Sequence, residues 1–145
     1  MIQPQKIIAI LNPTNHKNYI KEENLMIDFQ NAGFFKLKRV DDKAYEPLMV
    51  SGETICATYQ AIRDGIVFTN KRILAINVQG NTGVKKDITS LPYSKIQSYS
   101  VETAGVLDLD SELELWFSGL GKVKFEFKSN CNVSQICNFI SNYVL

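Results

Sequence analysis

Alternation of apolar and polar side chains predicts β-strands along most of the chain after residue 53. The clearest pattern lies in segments 112–117 and 122–128, which are separated by a short glycine-containing turn. The apolar side chains of both segments fall on one face: Leu113, Leu115, Phe117, Val123, Phe125 and Phe127. Because directly paired residues share a face, the register sets Trp116 opposite either Lys122 or Lys124, and each pairing offers a cation–π contact on the outer face.

A second hairpin is predicted upstream. Two β-rich apolar runs within residues 64–80 are separated by Asn70 and Lys71, a polar interruption short enough for a tight turn. Residues 54–61 alternate in the same way and predict the strand that precedes this hairpin. The chain should therefore contain three consecutive antiparallel strands in this region.

Two further strands are predicted over residues 84–89 and 96–103. Between them lies the sequence Leu91-Pro92-Tyr93. Because proline cannot donate a ladder hydrogen bond, Pro92 excludes a central-strand position and indicates a corner between two sheets.

The chain ends with an amphipathic helix. Apolar side chains recur there at helical spacing: Val133, Ile136, Cys137, Ile140, Tyr143 and Val144. Asn130 or Asn132 can accept a hydrogen bond as the N-cap. The pattern by itself predicts a small β-barrel or β-sandwich with a C-terminal helix.

Four motifs resemble successive signatures of bacterial pleckstrin-homology (PH) domains. They are VFTNKRI at 67–73, LPY at 91–93, VETAG at 101–105 and LDLD at 107–110. The resemblance covers residues 38–145. It implies a mainly β fold with a C-terminal α-helix: a PH-like barrel of two near-orthogonal antiparallel sheets, about seven strands in all, capped by one helix and preceded by a short N-terminal helical segment.

We expect residues 1–25 to be a tail outside the domain and residues 53–145 to form the PH-like domain. Residues 12–18 are polar and rich in structure breakers. The codons for residues 21–24 can spell a purine-rich ribosome-binding sequence at a suitable distance before Met26. The tail is therefore either translated upstream sequence, with Met26 as the true start, or a genuine flexible extension.

Residues 26–52 are predicted to be a docking segment followed by a short helix. Phe29, Phe34 and Phe35 are more aromatic surface than a free tail should expose, so the segment should dock on its own domain or on a neighbouring subunit. Asp41 or Asp42 can cap a helix over residues 43–50. Pro47 should limit or kink this helix.

Composition fits one domain in a reducing compartment. The chain has 145 residues, with 16 basic and 15 acidic side chains and a net charge of +1, so it has little electrostatic drive toward nucleic acid. Its three cysteines are odd in number and lack metal-ligand spacing, which favours free thiols and a cytoplasmic location. No apolar run is long enough to span a membrane.

Catalysis and metal binding are not predicted. The single histidine, His16, lies in the expected tail, so the domain cannot assemble a histidine-dependent nucleophile. The carboxylates that begin at Asp108 do not form an EF-hand, because Leu113 and Gly119 occupy the positions that require glycine and glutamate. We expect no enzyme activity, no metal and no cofactor.

The charged residues are distributed unevenly and supply the candidate interaction sites. The basic candidates are Arg63, Lys71, Arg72, Lys85 and Lys86. The acidic candidates are Glu102, Asp108, Asp110, Glu112 and Glu114, and residues 101–120 contain no basic side chain.

Our leading hypothesis is a non-catalytic protein-interaction or scaffold module whose acidic and basic faces join copies head to tail. The resemblance to bacterial PH proteins implies a cyclic homo-oligomer joined through sheet edges. Another protein is a second possible partner. The alternative is a monomeric peripheral adaptor that binds anionic lipid or phosphate through the five basic candidates, although the basic motif of lipid-binding eukaryotic PH domains is absent. Nucleic acid is not an expected partner.

Overall fold

The computed structural model describes residues 6–7 and 34–145. The first sheet has the strand order β1-β6-β5-β4-β3-β2, and all of its pairings are antiparallel. Its strands are β1 (Lys6–Ile7), β2 (Lys38–Val40), β3 (Ile55–Gln60), β4 (Gly65–Thr69), β5 (Arg72–Gln79) and β6 (Lys85–Pro92). The second sheet, also antiparallel, contains β7 (Ile96–Glu102), β8 (Ser111–Phe117) and β9 (Gly121–Phe127). Helix α1 (Val133–Val144) follows.

This arrangement confirms the predicted fold class. The seven predicted strands correspond to β3–β9. Asn70 and Lys71 form the turn between β4 and β5, as the polar interruption predicted. Strands β1 and β2 were not predicted, because two or three residues are too few to show an alternating pattern.

The corner between the sheets forms at Pro92. Pro92 is the last residue of β6, where it lies opposite Arg72. A short 3-10 helix, Tyr93–Lys95, then leads directly into β7 of the second sheet. The missing N–H of proline thus falls where the ladder of the first sheet ends.

The last hairpin adopts one of the two expected registers. Trp116 lies opposite Lys122, and Leu113 lies opposite Phe125. The inward side chains of β8 and β9 are fully or almost fully buried, which confirms the predicted face. On the outer face, Lys122 forms an ion pair with Glu114, and Lys124 forms one with Glu112. The expected cation–π contact of Trp116 is not formed among the described residues.

Apolar side chains pack on both faces of the first sheet. The main core lies between the two sheets and α1, and it includes Ile66, Phe68, Leu115 and Phe125. On the other face of the first sheet, a smaller cluster contains Val67, Leu74, Ile76 and Ile88, covered by Tyr45, Leu48, Met49 and Ile55. Because both faces are covered, every residue of β4 is buried.

The segment before β3 docks on its own domain. Phe34 is 1% exposed and packs edge-to-face on Phe125, with ring centroids 5.4 Å apart. Leu37 then pairs with Phe127 of β9, and the chain continues as β2 beside β3. Residues 34–40 therefore connect the two sheets, whereas residues 26–33 lie outside the described part of the chain.

The predicted N-terminal helix is shorter than expected. Only Glu46–Leu48 is helical, as one 3-10 turn, and Tyr45 occupies the N-cap position without a side-chain cap. Asp42 accepts a hydrogen bond from the Ala44 amide at 2.8 Å, one turn too early to cap this helix. Pro47 lies in its first turn, so the amide that would extend an α-helical ladder is missing.

Helix α1 begins at one of the two caps predicted. The Asn132 side chain accepts a hydrogen bond from the Gln135 amide at 3.1 Å.

At the other end of the chain, Lys6 and Ile7 pair with Thr89 and Ile88 of β6. The remainder of residues 1–25 lies outside the described residues, and the domain boundary at Met26 stays a prediction.

Candidate interaction surfaces

The basic candidates occupy opposite ends of the first sheet. Lys71 and Arg72 lie at the start of β5, where Arg72 is opposite Pro92. Lys85 lies at the far end of the same strand pair, opposite Gln79. Seven residue steps separate these ends, which corresponds to roughly 23 Å along an extended strand. The five basic residues therefore do not form one face.

Arg72 is engaged inside the protein. Its guanidinium donates to both carboxylate oxygens of Glu53 at 2.9 Å, to Ser90 Oγ at 2.8 Å and to the Leu48 carbonyl at 2.9 Å. The Arg72 side chain is only 12% exposed, and that of Glu53 is fully buried. This guanidinium is therefore not available to a ligand at the surface.

The other end of the sheet carries a mixed apolar and basic surface, which we call the basic end and define by Ile62, Arg63, Val84 and Lys85. The Arg63 guanidinium donates to the Gly80 carbonyl, which joins the β3–β4 turn to the β5–β6 turn. Ile62 is 99% exposed and Val84 is 74% exposed. Exposed apolar side chains that adjoin one another and are rimmed by charges can mark a surface that meets a partner.

Lys86 lies next to the basic end but points elsewhere. Its ammonium group lies 3.2 Å from the Tyr45 hydroxyl and 5.3 Å from the centroid of the Tyr45 ring. The side chain thus helps to hold the segment that covers the smaller apolar cluster. Its charge is partly used within the protein.

Three of the acidic candidates form ion pairs within the chain. Glu112 lies 2.7 Å from Lys124, Glu114 lies 3.2 Å from Lys122, and Asp110 lies 3.6 Å from Lys36. Hydrogen bonding to Glu112 raises the pKa of Lys124, which favours the charged lysine. Of the five acidic candidates, Glu102 and Asp108 form no ion pair among the described residues.

The β7–β8 connection displays these two carboxylates together with apolar side chains; we call residues 102–110 the acidic loop. Val106 is 95% exposed, Leu107 100% and Leu109 57%. The loop is ordered by two hydrogen bonds, from the Gly105 amide to the Asp108 carbonyl at 2.6 Å and from the Asp110 amide to Asp108 Oδ1 at 3.1 Å. The distribution of charges along the sequence predicted this loop as an interaction site, but it did not indicate that apolar side chains are exposed there.

Strand β7 is a sheet edge. In the described part of the chain it pairs only with β8, whereas the opposite edge, β9, is contacted by Phe34 and Leu37. Among residues 6–7 and 34–145, the outer side of β6 is paired only at Ile88 and Thr89, by β1. Unpaired backbone groups of this kind can join another strand.

Thiols and metal-ligating side chains are dispersed through the described residues. Residues 6–7 and 34–145 contain no group of three or more histidine, cysteine, aspartate or glutamate side chains that could hold a metal. Cys56, Cys131 and Cys137 are free thiols. Burial raises the pKa of Cys56 and Cys131, which disfavours the reactive thiolate. No helix within the described ranges is long and apolar enough to cross a bilayer.

Comparison with known proteins gives consistent results. The profile of a family described as "Bacterial PH domain" matches residues 25–144. The chain is 44% identical to the uncharacterized Bacillus subtilis protein YjqA over 91 residues, which span 61% of this chain and 73% of YjqA.

Two solved structures from Shewanella resemble the fold. A DUF1696 family protein with a pleckstrin-homology domain from Shewanella loihica has a TM-score of 0.69 and 38% identity, covering 77% of this chain and 99% of that one. A pleckstrin homology domain from Shewanella amazonensis has a TM-score of 0.56 and 39% identity, covering 70% and 82% respectively.

Proposed function

Since the chain belongs to the bacterial PH domain family, we propose that it is a non-catalytic cytoplasmic scaffold module that assembles head to tail with copies of itself. The observation that carries this proposal is the pair of exposed, complementary surfaces. The acidic loop presents Leu107 beside Asp108, and the basic end presents Ile62 beside Arg63. Each surface combines apolar area with charges of one sign.

The two surfaces lie on different elements, so an interface that joins them is heterologous. Such contacts close into a ring or continue as a filament, depending on the rotation between copies. The open edge of β7, which ends in the acidic loop, adds backbone hydrogen-bonding groups to the same region. We therefore propose a cyclic homo-oligomer in which sheet edges and exposed apolar side chains provide the contact. The charges select the orientation.

Charge reversal tests this arrangement. One variant carries Glu102→Lys and Asp108→Lys, and the other carries Arg63→Glu and Lys85→Glu. These residues form no ion pair among the described residues. Arg63→Glu removes the hydrogen bond to the Gly80 carbonyl, and Asp108→Lys removes the one from the Asp110 amide. Circular dichroism therefore first checks that each variant is folded. Native mass spectrometry at micromolar concentration should show an oligomer for the unmodified chain and monomers for each variant alone.

Mixing the two variants is the sharper measurement. Reversed surfaces complement each other at alternating contacts, so the mixture should regain assemblies that contain both chains. The matched control is Lys71→Glu, an exposed charge at the opposite end of the sheet, which should assemble normally. A monomeric unmodified chain, or two variants that assemble unchanged, would contradict the proposal.

A second function is favoured by the composition of the basic end. Exposed Ile62 and Val84 beside Arg63 and Lys85 would also suit a peripheral adaptor that contacts anionic lipid. Flotation with phosphatidylglycerol vesicles separates the two functions. Co-flotation of a monomeric chain that is lost in the Arg63→Glu, Lys85→Glu variant would favour the adaptor over the scaffold.

A further inference from the structure

A groove that the charged surfaces do not include lies between β2, β3 and the start of α1. It has a volume of about 180 Å³. Phe68, Ile136 and Phe139 contribute apolar and aromatic surface, and Arg39 and Gln135 contribute polar groups. Drug-sized pockets enclose about 300–1,000 Å³, so this groove is suited to one side chain rather than to a whole small molecule.

Arg39 brings an unneutralised charge to the groove. It lies directly opposite Tyr59 in the β2–β3 register, so both side chains are on the groove side of the sheet. Burial raises the pKa of Tyr59, and the nearby Arg39 acts in the opposite direction. No carboxylate pairs with Arg39 among the described residues, and helix α1 contains no charged side chain. The groove therefore favours an anionic group next to an apolar one.

The backbone beside the groove has an open edge. Strand β2 ends at Val40, opposite Thr58, so β2 does not cover the preceding residues of β3. A register shift between Ile55 and Ala57 places both Cys56 and Ala57 along the groove. The Cys56 carbonyl accepts a long hydrogen bond, 3.5 Å, from the Arg39 guanidinium of β2. Such an edge can accept an extended segment.

We propose that this groove binds an extended peptide segment of a partner protein, in which a bulky apolar side chain is followed by a carboxylate. The apolar side chain enters the space above Phe68 and Phe139, and the carboxylate pairs with Arg39. The peptide backbone adds to the open edge of β3 at Cys56. A peptide is favoured over a free carboxylate because the edge and the groove adjoin, so one extended segment uses both.

The test uses the full chain and a defined probe. The probe is fluorescein-labelled Thr-Val-Leu-Asp-Val-Thr with a C-terminal amide, followed by fluorescence anisotropy. Two control peptides replace Asp with Asn or Leu with Ala. We expect each control peptide to bind about tenfold more weakly, since one charge-assisted contact or one buried side chain is then lost.

Two protein variants and one matched control locate the contact. Arg39→Glu should weaken binding of the probe by about tenfold or more, because the carboxylate then faces a like charge. Lys38→Glu is the matched control: it is one residue away and exposed, but it lies opposite Gln60 on the other face of β2 and should bind normally. Ala57→Leu should also weaken binding by filling the groove, and circular dichroism will show whether it folds.

Alkylation of Cys56 provides an independent test of where the probe binds. Cys56 is exposed, so iodoacetamide should modify it more slowly when the probe is bound, while modification of Cys137 on α1 should not change. The proposal is overturned if the probe does not bind, if Arg39→Glu binds as well as Lys38→Glu, or if Cys56 is not protected. It is also overturned if Cys56 protection depends on protein concentration alone, because the occupant is then a second copy. These outcomes do not depend on the charge-reversal results for self-assembly.

Discussion

The Arg72 guanidinium donates two hydrogen bonds of 2.9 Å to Glu53, one to each carboxylate oxygen. Glu53 also accepts from the Thr69 hydroxyl at 2.8 Å and from the Val50 amide at 3.1 Å. The pair links the chain just before β3 to the start of β5. Arg72 also donates a hydrogen bond to the carbonyl of Leu48, which lies in the segment that covers the smaller apolar cluster. An ion pair this well satisfied organises the packing around it.

Replacing Arg72 with methionine should destabilise the protein strongly. The change leaves the Glu53 carboxylate buried without its cation, and such losses cost about 3–5 kcal/mol. Urea denaturation at neutral pH measures the free energy of unfolding. The neighbouring Lys71→Ala is the control, because Lys71 is exposed and its loss should change stability by less than about 0.5 kcal/mol. Similar values for the two variants would mean that the buried pair contributes little.

The free energy of unfolding should depend on pH through the ionisation of Glu53. Burial by itself would raise the pKa of this carboxyl, but hydrogen bonds from Arg72, Val50 and Thr69 outweigh burial and hold the pKa below its ordinary value of 4.5. A depressed folded-state pKa contributes stability that is present above about pH 4.5 and is lost as pH falls through the folded-state pKa. Comparing the unmodified chain with Glu53→Gln between neutral and acidic pH tests this. The stability difference should shrink below pH 4.5, and a constant difference would contradict the assignment.

Phe125 and Lys124 are neighbours in β9 that should respond very differently to truncation. Phe125 is fully buried opposite Leu113, so Phe125→Ala should cost about 3–5 kcal/mol. Lys124 lies on the outer face in a partly exposed ion pair with Glu112, so Lys124→Ala should cost less than about 1 kcal/mol. Thermal and urea unfolding of both variants provide the measurement. Equal losses of stability in the two variants would contradict the assignment of Phe125 to the inner face and Lys124 to the outer face.

Residues 1–25 should be dispensable for stability. In the described part of that range, only Lys6 and Ile7 pair with the domain, and they add two residues to the side of β6. A chain that begins at Met26 should therefore keep its Tm within a few degrees of the full chain, as followed by circular dichroism. A loss of several kcal/mol would show that this short strand or its neighbours belong to the domain.

Much of the fold follows from local patterns of side chains along the chain. Period-two alternation placed Leu113 and Phe125 inside because a strand sends successive side chains to opposite faces, a property of a few neighbouring residues. The same locality explains why the Asn70–Lys71 turn and the corner at Pro92 were predicted correctly. Turn chemistry and the missing proline N–H act within one or two residues.

Which charges are available to a partner depends instead on the packing of the folded chain. Arg72 and Lys71 are adjacent and alike in charge, yet Arg72 pairs with Glu53, which lies 19 residues away along the chain, while Lys71 is exposed. Arg39 gains its importance in the same way, from Phe139 and the other groove residues that the fold brings beside it. Burial and pairing depend on neighbours that are distant in sequence, and a one-dimensional pattern of charges does not contain those distances.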